Sequence, residues 1–181
     1  MIQNEIAELI RIIEPVDILE KAHINESLEW IFSGTEIFRI SKPDIPKKHL
    51  VSYFCLCDFK HGKILLVEHL KAGLWLPAGG HVEPGEHPNL TAQRECLEEL
   101  GVEAKFWSER PIFITSTVTV GFTAGHTDVS LWYVLEGNCS EHLNFDQREF
   151  KSVRWFDFEN IPYSKSDPNM KRFINKLRMM L

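Results

Sequence analysis

Residues 80 to 102 read GHVEPGEHPNLTAQRECLEELGV, a glycine-bearing loop running into a helix, and they organise everything around them. Pro88 suits the first helical position, where its missing N–H costs nothing, and Gly101 suits the residue just past the end. A helix over 88–100 follows. At 3.6 residues per turn, Leu90, Ala92, Cys96, Leu97 and Leu100 share one broad arc, expected to pack on a sheet. Glu95, Glu98 and Glu99 stand at i, i+3 and i+4 and cluster on the other side. Like charges so spaced destabilise a bare helix by roughly a few tenths of a kcal/mol per pair. A divalent cation turns that repulsion into a ligand set. Carboxylate oxygens are hard ligands, so Mg²⁺ is favoured, with Mn²⁺ a workable substitute.

On the N-terminal side, HLVSYFCLCDF and KILLVEHL flank Lys60-His61-Gly62 and read as two strands joined by a hairpin turn. Cys55 and Cys57, two apart in an apolar run, point to one face of the first strand. Beyond the helix, PIFITSTVTV, DVSLWYVLE and VRWFDF read as further strands. Asp167-Pro168 opens a last helix with Met170, Phe173, Ile174 and Leu177 on its apolar side. Near the start, Ile2, Ile6, Leu9 and Ile13 fall at helical spacing and stop at Glu14-Pro15. Asp17 with Glu20 forms a capping signal for a second helix bearing Ile24, Leu28 and Ile31, closed by Ser33-Gly34. SKPDIPKK, residues 41–48, carries two prolines and reads as a linker. The expected organisation is an N-terminal helical extension over 1–40 and a main domain over 41–181. Its fold class is α/β, a sheet covered by helices.

A run of glutamates on a helix is most often a solvated face, so RECLEEL alone decides nothing. Gly80, Glu86, Arg94, Glu95, Glu98, Glu99 and Gly101, however, match every fixed polar and glycine position of GX5EX7REUXEEXGU, U being a bulky apolar residue. At average residue usage a chance match in such a chain is on the order of one in a million. The segment resembles the signature of the Nudix hydrolases. Val102 fills the last apolar position; Cys96 fills the first, where a small buried hydrophobe serves as well.

The resemblance implies an α/β/α sandwich around a mixed sheet, extending loosely from about His49 to Phe158. It implies Glu95, Glu98 and Glu99 as metal ligands, with the backbone carbonyl of Gly79 beside them. Glu86 and Arg94 are expected to pair and brace the loop on the helix. Glu98 is the favoured general base, with Glu149, shortly before a strand, as the second choice or a further ligand. Glu149 reads equally well as a surface glutamate. The implied activity is Mg²⁺-dependent hydrolysis of a diphosphate linkage in a nucleoside diphosphate derivative: a nucleotide, a nucleotide sugar or a dinucleoside polyphosphate. The alternative is a non-catalytic module of the same fold that senses nucleotide ligands, against which the complete carboxylate set argues. A third, isoprenoid diphosphate isomerisation, needs pocket proton donors for which only Cys55 or Cys57 can be invoked.

His81 follows Gly80 and is a candidate phosphate contact. His126 and Asp128 begin a strand with side chains on one face and either line the pocket or hold a loop. Phe122, Trp132 and Tyr133 stack on a base or, more commonly for strand aromatics, fill the core. The N-terminal segment either covers the pocket or forms a homodimer contact.

The chain has 181 residues and a net charge of −6, which disfavours binding a nucleic-acid polymer but not a small anion screened by a cation. The four cysteines have neither redox-pair nor zinc spacing. The opening residues lack a basic leader before an unbroken apolar stretch, and no apolar run approaches a bilayer span. A cytoplasmic protein with no membrane partner is expected.

Overall fold

A computed structural model describes residues 2–119 and 124–181 of the chain. The central strand is β1 (Lys48–Asp58), followed by β2 (Lys63–His69), β3 (Trp75–Leu76), β4 (Ala78–His81), β5 (Phe113–Val118), β6 (Thr127–Glu136) and β7 (Phe150–Asp157). Among the described residues, four α-helices accompany them: α1 (Ile2–Arg11), α2 (Ile18–Phe32), α3 (Pro88–Leu100) and α4 (Met170–Met180). All seven strands join one mixed sheet.

Along one edge β1 runs parallel to β6, from Lys48 opposite Thr127 to Cys57 opposite Glu136, and β5 lies antiparallel beyond. Its other edge is shared. Cys57 and Asp58 pair with β2, whereas Val51–Phe54 pair with β4. β2 carries β7 along its length and meets β3 at Val67 and Glu68. After the Gly62 turn the two long strands therefore diverge, and residues 75–81 fill the wedge between them. The cleft opens there.

Alternation along β1 divides the core. Phe54 and Leu56 pack with Ala92, Cys96 and Leu100 of α3. Cys55 and Cys57, together as their spacing predicts, pack with Trp132 and with Phe173, Ile174 and Leu177 of α4. Helices thus cover both faces, the expected sandwich. All four cysteines are free thiols. Ile6, Ile10, Ile24 and Ile31 of the first two helices join the α3-side core. Asp17 caps α2 by accepting from Glu20 N, and Glu20 accepts in turn from Val16 N. Among the described residues, no helix is long and apolar enough to cross a membrane.

Two expectations need correction. α3 has the predicted ends, with Gly101 at φ 67° in the left-handed region, but not the predicted face. Leu90 and Leu97 are 50% and 56% exposed, while Thr91, Ala92, Cys96, Glu99 and Leu100 are buried. The helix is rolled so that its glutamate edge meets β4, where Gly79 N donates to Glu99 Oε2 at 3.0 Å. The 41–48 segment is not a plain linker either. It folds back on itself through Ile45 N to Ser41 O and Ile40 N to Ile45 O, and feeds into β1.

Candidate functional site

Gly79 and Gly80 let two segments approach where side chains would prevent it. Gly79 has φ 145°, and a Cβ there would overlap the backbone of Ser52 and Tyr53. A Cβ on Gly80 would overlap the carboxylate of Glu95. The bare strand therefore lies directly against the acidic edge of α3. Asp146 N donates to Glu99 O at 2.8 Å, docking the 146–149 turn on the end of the same helix.

Arg94 organises the carboxylates. Its Nε and one terminal nitrogen donate to the two oxygens of Glu86 at 3.1 Å each, and its other terminal nitrogen donates to Glu95 Oε1 at 2.6 Å. That last nitrogen is also 3.7 Å from Glu98 Oε2. Glu86 further accepts from Thr91 Oγ1 and Glu83 N, so the loop is tied to the helix it precedes. These bonds hold the Glu86 carboxyl below its ordinary range, and the guanidinium is raised chiefly by Glu86.

Glu95 and Glu99 are shifted the other way. Burial pushes Glu99 up to about 9, helped by the charges of Glu95 and Glu149. Burial also raises Glu95, with Glu98 and Glu149 adding repulsion against the pull of Arg94. Buried carboxylates that repel one another, with Arg94 bonded to one of them, suit a divalent ion with hard oxygen ligands. The donor set fits Mg²⁺. Glu98 is 60% exposed and reaches into the cleft beside them.

The cleft has a volume of about 1110 Å³. Glu95, Glu98, Glu99 and Gly79 line it with Glu149 from the turn before β7. His81, His126 and Asp128 line it too, but His81 lies in β4 rather than in a loop. Neighbours in a strand face opposite ways, so Gly80 meets α3 while His81 turns toward His49, ring centroids 4.7 Å apart. Burial lowers His81 to about 3, so it is neutral. His126 Nε2 is 3.2 Å from Asp128 Oδ1, and His126 Nδ1 is 3.1 Å from Thr119 Oγ1. Trp132 and Tyr133 are wholly buried core residues; Phe122 lies outside the described residues. Arg39, Lys42 and Asp44 also line the cleft and were not anticipated. Lys42 in the proline-bearing turn and Arg39 just before it were the one signal available. Neither α1 nor α2 contributes to the lining.

The model of one family, described as the NUDIX domain, matches residues 47–177, which contain every strand of the sheet from β1 to β7 and most of α4. The chain belongs to the NUDIX domain family. Among similar proteins, nucleoside diphosphate-linked moiety X motif 6 of Mus musculus is 34% identical over 110 residues, 60% of this NUDIX chain and 34% of that protein. RNA pyrophosphohydrolase of Rickettsia africae is 29% identical over 103 residues, 50% of this chain and 63% of its own length. The chain thus spans about a third of the first and under two thirds of the second. Among solved structures, a NUDIX family hydrolase from Clostridium perfringens has a TM-score of 0.57 at 22% identity, covering 74% of this chain and 98% of that one. The dihydroneopterin triphosphate pyrophosphohydrolase of E. coli has a TM-score of 0.55 at 13% identity, covering 77% and 99%. At those identities the NUDIX fold is what is shared.

Proposed function

We propose that the protein is a pyrophosphohydrolase that breaks a diphosphate linkage in a nucleoside diphosphate derivative, using Mg²⁺ or, in its place, Mn²⁺. The observation that carries this reading is the convergence of Glu95, Glu98, Glu99 and Glu149 on one cleft, with the first and third raised by burial and mutual repulsion. Glu95, Glu98 and Glu99, with the carbonyl of Gly79, would hold the ion. When bound, it supplies charge neutralisation on the diphosphate and acidifies the attacking water.

Arg94 keeps Glu95 aimed at the cleft and, through Glu86, fixes the loop between β4 and α3. Glu98, exposed and free to move toward the substrate, takes the proton from water as general base. Glu149, on the turn docked against the end of α3, adds charge beside Glu95 and Glu99 and is the second choice for that role. His81, His126 and Asp128 line the substrate side. Arg39 and Lys42 bring positive charge to the same cleft, suited to a phosphate.

The substrate class is a free nucleotide, a nucleotide sugar or a dinucleoside polyphosphate. The net charge of −6 supports a small substrate over a nucleic-acid polymer. Four free cysteines suit a reducing cytoplasm. The test is phosphate release across a panel of nucleotides, nucleotide sugars and dinucleoside polyphosphates, with Mg²⁺ and with chelator. Metal-dependent turnover of any member supports the reading. Ligand binding by folded protein without turnover of any would replace it with a sensing module.

A further inference from the structure

On the sheet face opposite α3, three histidines meet beside the same cleft, His81 and His126 lining it and His49 fully buried behind them. His49 is the second residue of β1, His81 closes β4 and His126 precedes β6, while Asp44 comes from the 41–46 turn. Each of the four offers a ligand atom within 4.8 Å of the others. Asp128, directly across from His49 in the parallel β1–β6 pair, completes the group. No local spacing joins these residues; the sheet register assembles them.

Their hydrogen bonds leave a gap in the middle. His49 Nδ1 lies 2.8 Å from Pro46 O, an acceptor only, so this nitrogen carries the ring proton. In the neutral ring Nε2 then presents a lone pair. That atom is buried without a hydrogen-bond partner, as are His81 Nε2 and Asp128 Oδ1. His49 Nε2 and Asp128 Oδ1 are nevertheless only 3.2 Å apart, and Asp128 Oδ1 is as close to His126 Nε2. Lone pairs facing one another at that separation, out of line for a hydrogen bond, are mutually repulsive in a buried site. A cation between them reverses the sign. Ligands of a tetrahedral ion with bonds of about 2.0–2.1 Å stand about 3.3 Å apart, close to these separations. A carbonyl holding the distal nitrogen of a ligating imidazole, as Pro46 O holds His49, is the usual support of such a site.

We propose that His49, His81 and His126, with carboxylate from Asp44 and Asp128, form a second cation site for a divalent transition ion of the Zn²⁺ class. Imidazole nitrogens favour such an ion over Mg²⁺, whereas the all-oxygen edge of α3 has the opposite preference. The ion would pin the 41–46 turn to three strands and add positive charge to the cleft wall one residue from Gly80. The other His, Asp and Cys trio, Asp58, His61 and Cys139, gives no such signal. Its carboxylate already accepts from His61 N and Cys139 N and pairs with His61 Nδ1 at 2.8 Å.

The test titrates Zn²⁺ into the full chain by calorimetry under saturating Mg²⁺, for the wild type, Glu98→Gln, His126→Ala and Asp44→Ala. The expected result is one Zn²⁺ per chain, with affinity in Glu98→Gln within about threefold of wild type and at least tenfold weaker in the other two. Asp44 stands on a surface turn, so its variant keeps the fold if His126→Ala does not. Zn²⁺ should also raise the melting temperature of the wild type and leave that of Asp44→Ala unmoved. No uptake above Mg²⁺ competition would overturn the proposal. So would uptake lost in Glu98→Gln but retained in both Asp44→Ala and His126→Ala, which would put the ion on the glutamates.

Discussion

Gly80 faces the carboxylate of Glu95 so closely that even a methyl group at residue 80 would occupy the same space. Gly80 has an ordinary strand conformation, so the obstacle is the neighbour and not the backbone. In Gly80→Ala the flexible end of Glu95 must swing away, which takes a ligand from the proposed ion without unfolding the sheet. The Mg²⁺ concentration for half-maximal turnover should rise about 10- to 100-fold, with the melting temperature nearly unchanged. Gly79→Ala makes the contrast. Its Cβ would strike backbone and its φ is in the left-handed region, so about 1–3 kcal/mol of stability should go as well. An unchanged Mg²⁺ dependence in Gly80→Ala would remove Glu95 from the ligand set.

Glu98→Gln separates chemistry from folding. The side chain is 60% exposed and pairs with Arg94 only at 3.7 Å, so its removal costs little stability. As general base it contributes about 10²–10⁴-fold, and turnover should fall by that factor while substrate affinity stays within a few-fold. Single-turnover rates with metal in excess are the measurement. Near wild-type turnover would transfer the base to Glu149.

The sequence revealed α3 to the residue, because proline and glycine mark both its ends with backbone constraints that act locally. It misplaced the buried face, because hydrophobicity alone pointed Leu90 and Leu97 inward, whereas the Gly79–Glu99 hydrogen bond and the Gly80–Glu95 contact set the roll of the helix. β3 and β4, two and four residues long, are too short to display a period. The glutamates were readable as a group since one helix carries three of them. Asp44, His49, His81 and His126 were not, since their proximity depends on which strands pair and in what register.

Glu20 and Lys176 meet at 2.7 Å in the interior and join α2 to α4. Glu20 also accepts from Val16 N and Ile114 N, so its charge is fully committed. Lys176→Met should destabilise the protein by about 3–5 kcal/mol, because it strands a buried carboxylate. Adding Glu20→Gln should recover a substantial part, since it removes the stranded charge while its one amide oxygen still accepts from one of those N–H groups. Urea unfolding of the two single variants and the double variant measures the coupling. A cost below about 1 kcal/mol for Lys176→Met would mean that water reaches Glu20.

Asp17 gives the same junction an acid-sensitive lock. Arg172 grips both carboxylate oxygens, at 2.7 Å and 2.5 Å, while Oδ1 caps α2 through Glu20 N at 2.8 Å. The Arg172 hydrogen bonds lead in lowering Asp17 to about 2, against about 3.9 in an unfolded chain. A depressed carboxyl stabilises the folded state above the unfolded value and loses that contribution as pH falls toward the folded one. The window therefore runs from about pH 4 down to about pH 2. With Asp17 38% exposed, solvent screening reduces the contribution to the order of 1 kcal/mol. Asp17→Asn retains a capping oxygen but no charge. It should be less stable than wild type by about that amount near neutral pH, and the two stability curves should converge on acidification through the window. Curves that stay parallel down to about pH 2 would mean that the Arg172 pair contributes nothing and that Asp17 acts through its cap alone.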